Sequence, residues 1–409
     1  MTSHVPTITN PKRIVIIDAL RGFALAGIVF THMLENFVAA PIPQKVAEAM
    51  STGFVDQLAE GLVNFLFRGK FFALFSFLFG LSFFIQMDNA SKRGSYFGWR
   101  FLWRLIILFV IGFVHSMFYR GDILTLYAFL GVFLIPFFHC GNRWILGFAV
   151  ILFLGLGRYM VFFITQGENL FMQANLNPES PFFEAYFNLL KEGPFPKVAV
   201  SNGMEGNLMK AEFQFGIFSR GYLTFGFFLL GLYMGRLQFF KNYLTEKRFL
   251  KRLWIGSLVL LGVSVTGMSL IFANLGPEVD FKTWPALFGL TFYDLFNLAL
   301  TTLMVAVFVL LYKRDAARRF LSKFAPYGRM ALTNYFFQSI IGTFLFFGWG
   351  LGYIGQIPHR YVFLMALAIV ITQMALSSWW LKHFANGPLE WLWRSLTFFK
   401  VYPLKRSDP

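Results

Sequence analysis

Cysteine is nearly absent: Cys140 is the one thiol in 409 residues. A single thiol closes no intramolecular disulfide and gives no basis for a cysteine-based metal site. Charge is scarce as well. Asp, Glu, Lys and Arg make up 14% of the chain, where ordinary soluble domains carry about 25%. Acid is the scarcer sign, with 20 Asp and Glu against 36 Lys and Arg. Low-complexity stretches and convincing long repeats are also missing. These shortages exclude a disulfide scaffold and argue against an ordinary soluble domain.

What fills the chain is apolar. Hydrophobic residues reach 57%, and Phe alone occurs 57 times, more than a soluble surface could hide. A net charge of +16 would suggest nucleic acid in a soluble protein. Here the cations sit in short loops between apolar runs, the pattern that orients a membrane protein, so nucleic acid is not an expected partner. The bilayer is.

A helix of about 20 residues crosses the roughly 30 Å of hydrocarbon. That length predicts ten spans: 14–39, 70–88, 101–119, 122–139, 144–165, 216–238, 253–275, 284–312, 330–350 and 360–384. The expected fold is an all-α integral membrane bundle of about ten helices. Residues 1–165 form an N-terminal bundle holding the polar helices (spans one to five), 166–215 an extracytoplasmic loop, and 216–409 a C-terminal membrane region with a cytoplasmic tail. Lys12 and Arg13 before the first run resemble the start of a signal peptide. The run is long, interrupted by Asp18 and Arg21, and followed by similar runs, so a retained first span is expected.

Lys and Arg bias sets the orientation. With the N-terminus inside, the cytoplasmic side collects Lys92, Arg93, Arg100, Arg143, the cluster Arg236 to Arg252, Lys313 to Lys323, and Arg394 to Arg406. An even number of spans places both termini in the cytoplasm. Of the outer segments, 40–69 is expected to hold a short amphipathic helix. The segment 166–215 carries Glu168, Glu179, Glu184 and Glu205, and is either a functional lid or a packing element. Within it, Phe182 to Leu190 could lie on the membrane surface as an amphipathic helix.

The first span, Ile16 to His32, is apolar yet carries Asp18, Arg21 and His32. At about 100° per residue, Arg21 lies roughly 60° from Asp18 and His32 about 20° from Arg21. All three share a face, with Arg21 and His32 about 16 Å apart along the axis. Ionisable groups in spanning helices usually face a bundle interior or a wet cavity. Asp18 and Arg21 could instead be an i,i+3 pair that neutralises itself, and His32 either an interfacial residue or a base. No acid lies one turn before His32, although Glu35 follows three residues on.

The third span repeats the spacing with Arg104 and His115. If the two faces meet, they form a channel that is cationic towards the cytoplasm and bears imidazoles towards the outside. Asp122 opens the fourth span after the tight turn Arg120-Gly121-Asp122. It could fix the tautomer of a nearby imidazole or cap the helix, and the two roles are compatible. Two histidines without a carboxylate set are a weak metal signal, so no metal is expected. Asn334 and Gln338, four apart, either hold helices together or bind substrate. Trp391 and Trp393 suit an interfacial anchor, beside an i,i+4 pair of Glu390 and Arg394.

Five blocks then stand in order: RIVIIDALRGFALAGI, GKFFALFSFLFGLSF, RLIILFVIGFVHSMFYRGDILTLYA, GRMALTNYFFQS and GPLEWLWR. Together they resemble the YeiB-like bacterial membrane proteins that carry the domain of unknown function numbered 418, over nearly the whole chain. That family is similar to the transmembrane acyltransferases, including the acyltransferase-3 proteins and the lysosomal heparan-glucosaminide acetyltransferase. The acyltransferase-3 proteins carry an Arg, ten residues and a His in their first helix, and Arg21 and His32 match that spacing. Where many YeiB-like members have Asn, this chain has His32, which moves it towards the acyltransferase pattern.

The resemblance implies a multi-pass protein of the bacterial cytoplasmic membrane. Its donor would be acyl-CoA, docked from the cytoplasm with its phosphates near Arg13, Arg21 and Arg104. An unidentified extracytoplasmic glycan, lipid or small-molecule acceptor would meet the acyl group where His32 or His115 acts as base, helped by Asp122. Arg68 and Lys70, at the outer mouth, could attract an anionic acceptor. A transporter or flippase for a lipid or amphiphile is the alternative, followed by a non-catalytic lipid- or quinone-binding protein. A homodimer stays open.

Overall fold

The computed structural model describes residues 13–406 apart from 93, 95–96, 173–179 and 276–278. Lys12, Arg93 and Glu179 lie outside them. The described residues form helices and no strand; one isolated bridge joins Phe384 to Lys405.

The first helix, α1 (Val15–Leu34), is almost wholly buried. Two short helices follow, α2 (Gln44–Met50) and α3 (Phe54–Leu62), and a π-turn at Val63–Phe67 leads into α4 (Lys70–Ser91). The expected short helix in 40–69 is therefore a pair. Next come α5 (Gly98–Phe118) and α6 (Leu124–Phe137), then α7 (Asn142–Phe153) and α8 (Leu156–Thr165). The segment 166–215, expected as a loop, contains α9 (Pro181–Glu192), α10 (Phe195–Gly203) and α11 (Glu205–Phe215). Beyond it run α12 (Arg220–Arg236), α13 (Phe239–Asn242), α14 (Lys247–Phe272), α15 (Trp284–Tyr312) and α16 (Asp315–Leu321). The chain ends with α17 (Ala325–Arg329), α18 (Ala331–Phe346), α19 (His359–His383) and α20 (Pro388–Phe398).

Among the described residues, six helical stretches are long and apolar enough to cross a membrane: α1, Phe54–Ser91, α5, α14, α15 and α19. The number rises to eight if two bent pairs each count as one span, α7 with α8 at 53° and Phe195–Phe215 with α12 at 64°. The fold is that of a helical membrane protein. Ten full-length spans are not what forms: the expected fourth span is the 14-residue α6, and the ninth the 16-residue α18. Gly155 explains the first bend. Its φ of +85° is left-handed, which glycine adopts without steric cost and which ends α7 inside an apolar run. Many apolar residues face outward, including Ile255, Leu258, Val259 and Val263 of α14. In a bilayer such a surface meets lipid.

Without water to squeeze out, membrane helices associate by close packing, which small residues permit. A Cβ on Gly22 would lie 2.1 Å from the Phe324 carbonyl oxygen, and one on Gly328 2.0 Å from that of Asp18. These reciprocal contacts seat the start of α1 against α17. Gly80 of α4 and Gly231 of α12 make the same kind of contact, on Phe228 and Phe77. The bends are tied together by Arg158 of α8. It donates to the Ile217 and Phe218 carbonyls at the second break (2.9 and 3.3 Å), to Thr291 Oγ1 (2.8 Å) and to Asp294. Irregular backbone at membrane depth is tolerated when buried polar groups satisfy it, and here a buried arginine does so.

Candidate functional site

At its C-terminal end α1 presents His32, and α5 presents His115. The His32 ring packs 4.8 Å from Tyr119 and 6.4 Å from Tyr335; the His115 ring lies 6.2 and 4.8 Å from the same two tyrosines. The two histidines thus belong to one aromatic cluster, with α18 supplying Tyr335 between α1 and α5.

His115 is fully buried, and its Nδ1 stands 2.8 Å from Asp122 Oδ1. Asp122 also accepts from the Leu124 and Thr125 amides (3.1 and 2.9 Å) and from Thr125 Oγ1 (2.8 Å). A carboxylate accepting this many bonds is an acceptor towards His115 as well, so Nδ1 carries the proton. That tautomer leaves Nε2 with a free lone pair. Among the described residues Nε2 has no hydrogen-bond partner, nor has Nδ1 of His32, and both atoms are buried. The two expected roles of Asp122 coincide: it orients the imidazole and holds the first turn of α6. The turn before it needs Gly121, where a Cβ would sit 2.4 Å from the Tyr119 ring.

The helices α9 to α11 cover this cluster. Lys210 Nζ reaches Thr125 Oγ1 (2.8 Å) and lies 3.7 Å from Asp122 Oδ2. Asn202 donates to the Met117 and Phe118 carbonyls (3.3 and 3.4 Å) and accepts from the Tyr186 hydroxyl (2.8 Å). The Arg120 guanidinium lies 3.3 Å over Tyr186. Phe183, Tyr186, Phe187 and Leu190 of α9 are buried, so the face expected on the membrane surface packs onto the protein instead.

The other end of α1 is cationic. Asp18 pairs with both Arg13 and Arg21 (3.1 Å to Arg21), and Arg21 also donates to Ser82 Oγ on α4 (2.8 Å). The expected i,i+3 pair is present, shared with a second arginine. Arg104 lies flat on Trp393, 3.8 Å from the ring centre, while Trp393 Nε1 donates to the Arg104 carbonyl (2.9 Å). Trp393 therefore packs on α5, and Trp391 donates to the Tyr402 carbonyl (2.6 Å). Glu390 does not pair with Arg394. Its carboxylate accepts from the Leu332 and Thr333 amides (2.7 and 3.2 Å) and from Thr333 Oγ1 (2.5 Å), holding the first turn of α18. Burial raises this carboxyl above its usual range, against the pull of the hydrogen bonds from Thr333 and Leu332. A cavity of about 250 Å³ opens here, lined by Arg13, Arg104, Arg329, Asn386, Glu390 and Arg394 among others.

The remaining expected residues fall elsewhere. Asn334 donates to Ser377 Oγ (2.9 Å) and the Tyr327 carbonyl (3.3 Å), joining α18 to α19. Gln338 is fully buried, and neither its Oε1 nor its Nε2 has a partner among the described residues. Lys70 is buried at the start of α4, donating to the Asn64 carbonyl (3.3 Å) and lying 5.1 Å over Phe296. Glu35 pairs with Arg68 (3.0 Å). Tyr119, Tyr335, Lys210 and Arg329 were not foreseen. The first two and Arg329 stand inside sequence blocks already singled out; nothing in the sequence marks Lys210.

A family model described as protein of unknown function (DUF418) matches residues 234–400. The uncharacterized protein YxaH of Bacillus subtilis (strain 168) is 30% identical over all of this chain and 99% of its own length. An uncharacterized 39.9 kDa protein from the amylase 3′ region of Bacillus acidopullulyticus is 27% identical over 96% of each chain. YeiB of Escherichia coli (strain K12) is 25% identical over 96% of this chain and 98% of its own. The similarity runs from end to end, through the helices that carry both polar clusters, and the chain belongs to the YeiB-like DUF418 family.

Proposed function

We propose that this protein is a membrane acyltransferase that moves an acyl group from cytoplasmic acyl-CoA to an acceptor on the other side of a bacterial cytoplasmic membrane. The observation that carries the proposal is the pair of imidazoles sharing Tyr119 and Tyr335, the half-buried His32 and the buried His115, the latter oriented by Asp122 with its Nε2 unpartnered among the described residues. Such an imidazole suits general-base work. It takes the proton of an acceptor hydroxyl or amine as that atom bonds to the thioester carbonyl; the C–S bond breaks, and the CoA thiolate leaves and is protonated. Arg13, Arg21 and Arg104 at the opposite end of α1 hold the donor's phosphates, about 16 Å away along the helix, within reach of an extended pantetheine arm. Gln338, three residues beyond Tyr335 on α18, has both amide atoms buried and unpartnered among the described residues and offers them to the acceptor.

In the same proposal both termini are cytoplasmic. Counting the short α6 and α18 with the two bent pairs brings the crossings to ten, and each basic loop then falls on one side. A second reading, transport of a lipid or amphiphile, draws support from the two bent pairs and the Arg158–Asp294 pair beside them, since transporters use broken helices at their sites. Binding of acetyl-CoA and longer acyl-CoAs to purified protein in detergent separates the two. The donor reading expects micromolar binding that weakens at least tenfold in Arg21→Ala. No binding of any acyl-CoA contradicts it and favours transport.

A further inference from the structure

The arginine cavity holds more cation than the protein itself neutralises. Arg13, Arg104, Arg329 and Arg394 line it. Asp18 is divided between Arg13 and Arg21, and Glu390 is taken up by the first turn of α18. That leaves Arg104, Arg329 and Arg394 with no ion pair recorded among the described residues. The Nε atoms of Arg104 and Arg329 are buried and have no partner among the described residues. Stacking on Trp393 fixes the plane of the Arg104 guanidinium, and the Arg394 guanidinium lies 4.4 Å over Tyr402; both keep their edges for an acceptor. The start of α18 is not the attractor, because Glu390 already occupies it.

A second cavity, of about 490 Å³, adjoins the first and shares Ala385, Asn386 and Arg394 with it. Tyr402 and Pro403 give it an apolar wall, and Lys405 and Arg406 add two cations. Planar guanidinium forks match phosphate oxygens two at a time, and several of them together suit a multiply charged group better than a single carboxylate.

We propose that these joined cavities form a diphosphate site, with Arg104, Arg329 and Arg394 gripping the diphosphate and the Tyr402–Arg406 stretch receiving the ring and further phosphate of a nucleotide portion. The anion chemistry stands on the cavity; its assignment to the CoA moiety rests on the acyl-donor reading above.

The test is calorimetric titration of the full-length protein in detergent with inorganic pyrophosphate and, separately, with CoA. Wild type is compared with Arg394→Gln, Arg329→Gln and, as a control on the exposed face of α16, Arg318→Gln. Arg394 is itself exposed, so its replacement leaves the packing in place, and thermal midpoints check this for every variant. The expected result is binding of both probes, at least tenfold weaker in Arg394→Gln and Arg329→Gln, unchanged in Arg318→Gln, and weakened by salt. Binding of both probes that ignores the two arginine variants overturns the diphosphate site and leaves the donor reading standing. Pyrophosphate bound through the arginines without CoA binding upholds the anion site and removes CoA as its ligand. Failure of wild type to bind either probe overturns the site outright.

Discussion

At the scale of single residues, the position of one proton decides whether His115 can act. Asp122 holds it on Nδ1, and Asp122→Asn would offer an amide N–H instead, turning the imidazole to the tautomer whose Nε2 carries the proton. Acyl transfer should then fall by about 10²–10⁴, with a lower thermal midpoint because the Leu124 amide loses its acceptor; a folded variant with full transfer shows that the tautomer is irrelevant. Glu390 offers a second residue-level check. Burial favours its protonated form in the fold, so its contribution to stability is present in acid and lost as pH rises from the ordinary carboxylate range through the folded value. Wild type should therefore lose stability relative to Glu390→Gln as pH rises above the ordinary carboxylate range, read as the difference in thermal midpoint. Asp18, Arg21, His32, His115 and Asp122 were legible because ionisable groups in or beside apolar runs are rare enough to stand out. Lys210 and Arg329 were not, since cations in polar segments are common and only the fold brings these two to the clusters.

At the scale of elements, close backbone contact does the positioning. Gly328→Val would drive a side chain into the Asp18 carbonyl and push α17 off α1, displacing Arg21 and the cavity wall together. Overpacking of this kind costs about 1–3 kcal/mol or more, to be seen as a lower midpoint in detergent, with Gly262→Val, where a Cβ would meet nothing, close to neutral. The long helices were readable from apolar length. The bends were not, because glycine is common in membrane helices and Gly155 changes neither the length nor the hydropathy of its run. The helices α10 and α11 escaped because their sequence is mixed in polarity, while α9 was legible as an amphipathic helix but not in its placement, since its buried face looks the same whether it meets lipid or protein.

For the whole molecule, the two polar clusters lie at opposite ends of α1, and the proposed direction of transfer follows from which end faces the cytoplasm. In a Cys140→Ser background, Lys191→Cys should react with an impermeant thiol reagent in intact cells and Arg318→Cys only after lysis. The reverse pattern would invert the topology and with it the direction of transfer. The expected orientation rests on the basic loops alone, whereas the convergence of His32 and His115 depends on helix rotation, which a sequence does not fix. The most direct test is to feed acetyl-CoA and longer acyl-CoAs, labelled in the acyl group, to membranes from producing cells, where the native acceptor is present. Label should enter the lipid or glycan fraction with wild type and be lost with His32→Ala and His115→Gln at normal protein levels. No incorporation by wild type from any acyl-CoA, or full incorporation by both histidine variants, would contradict the account.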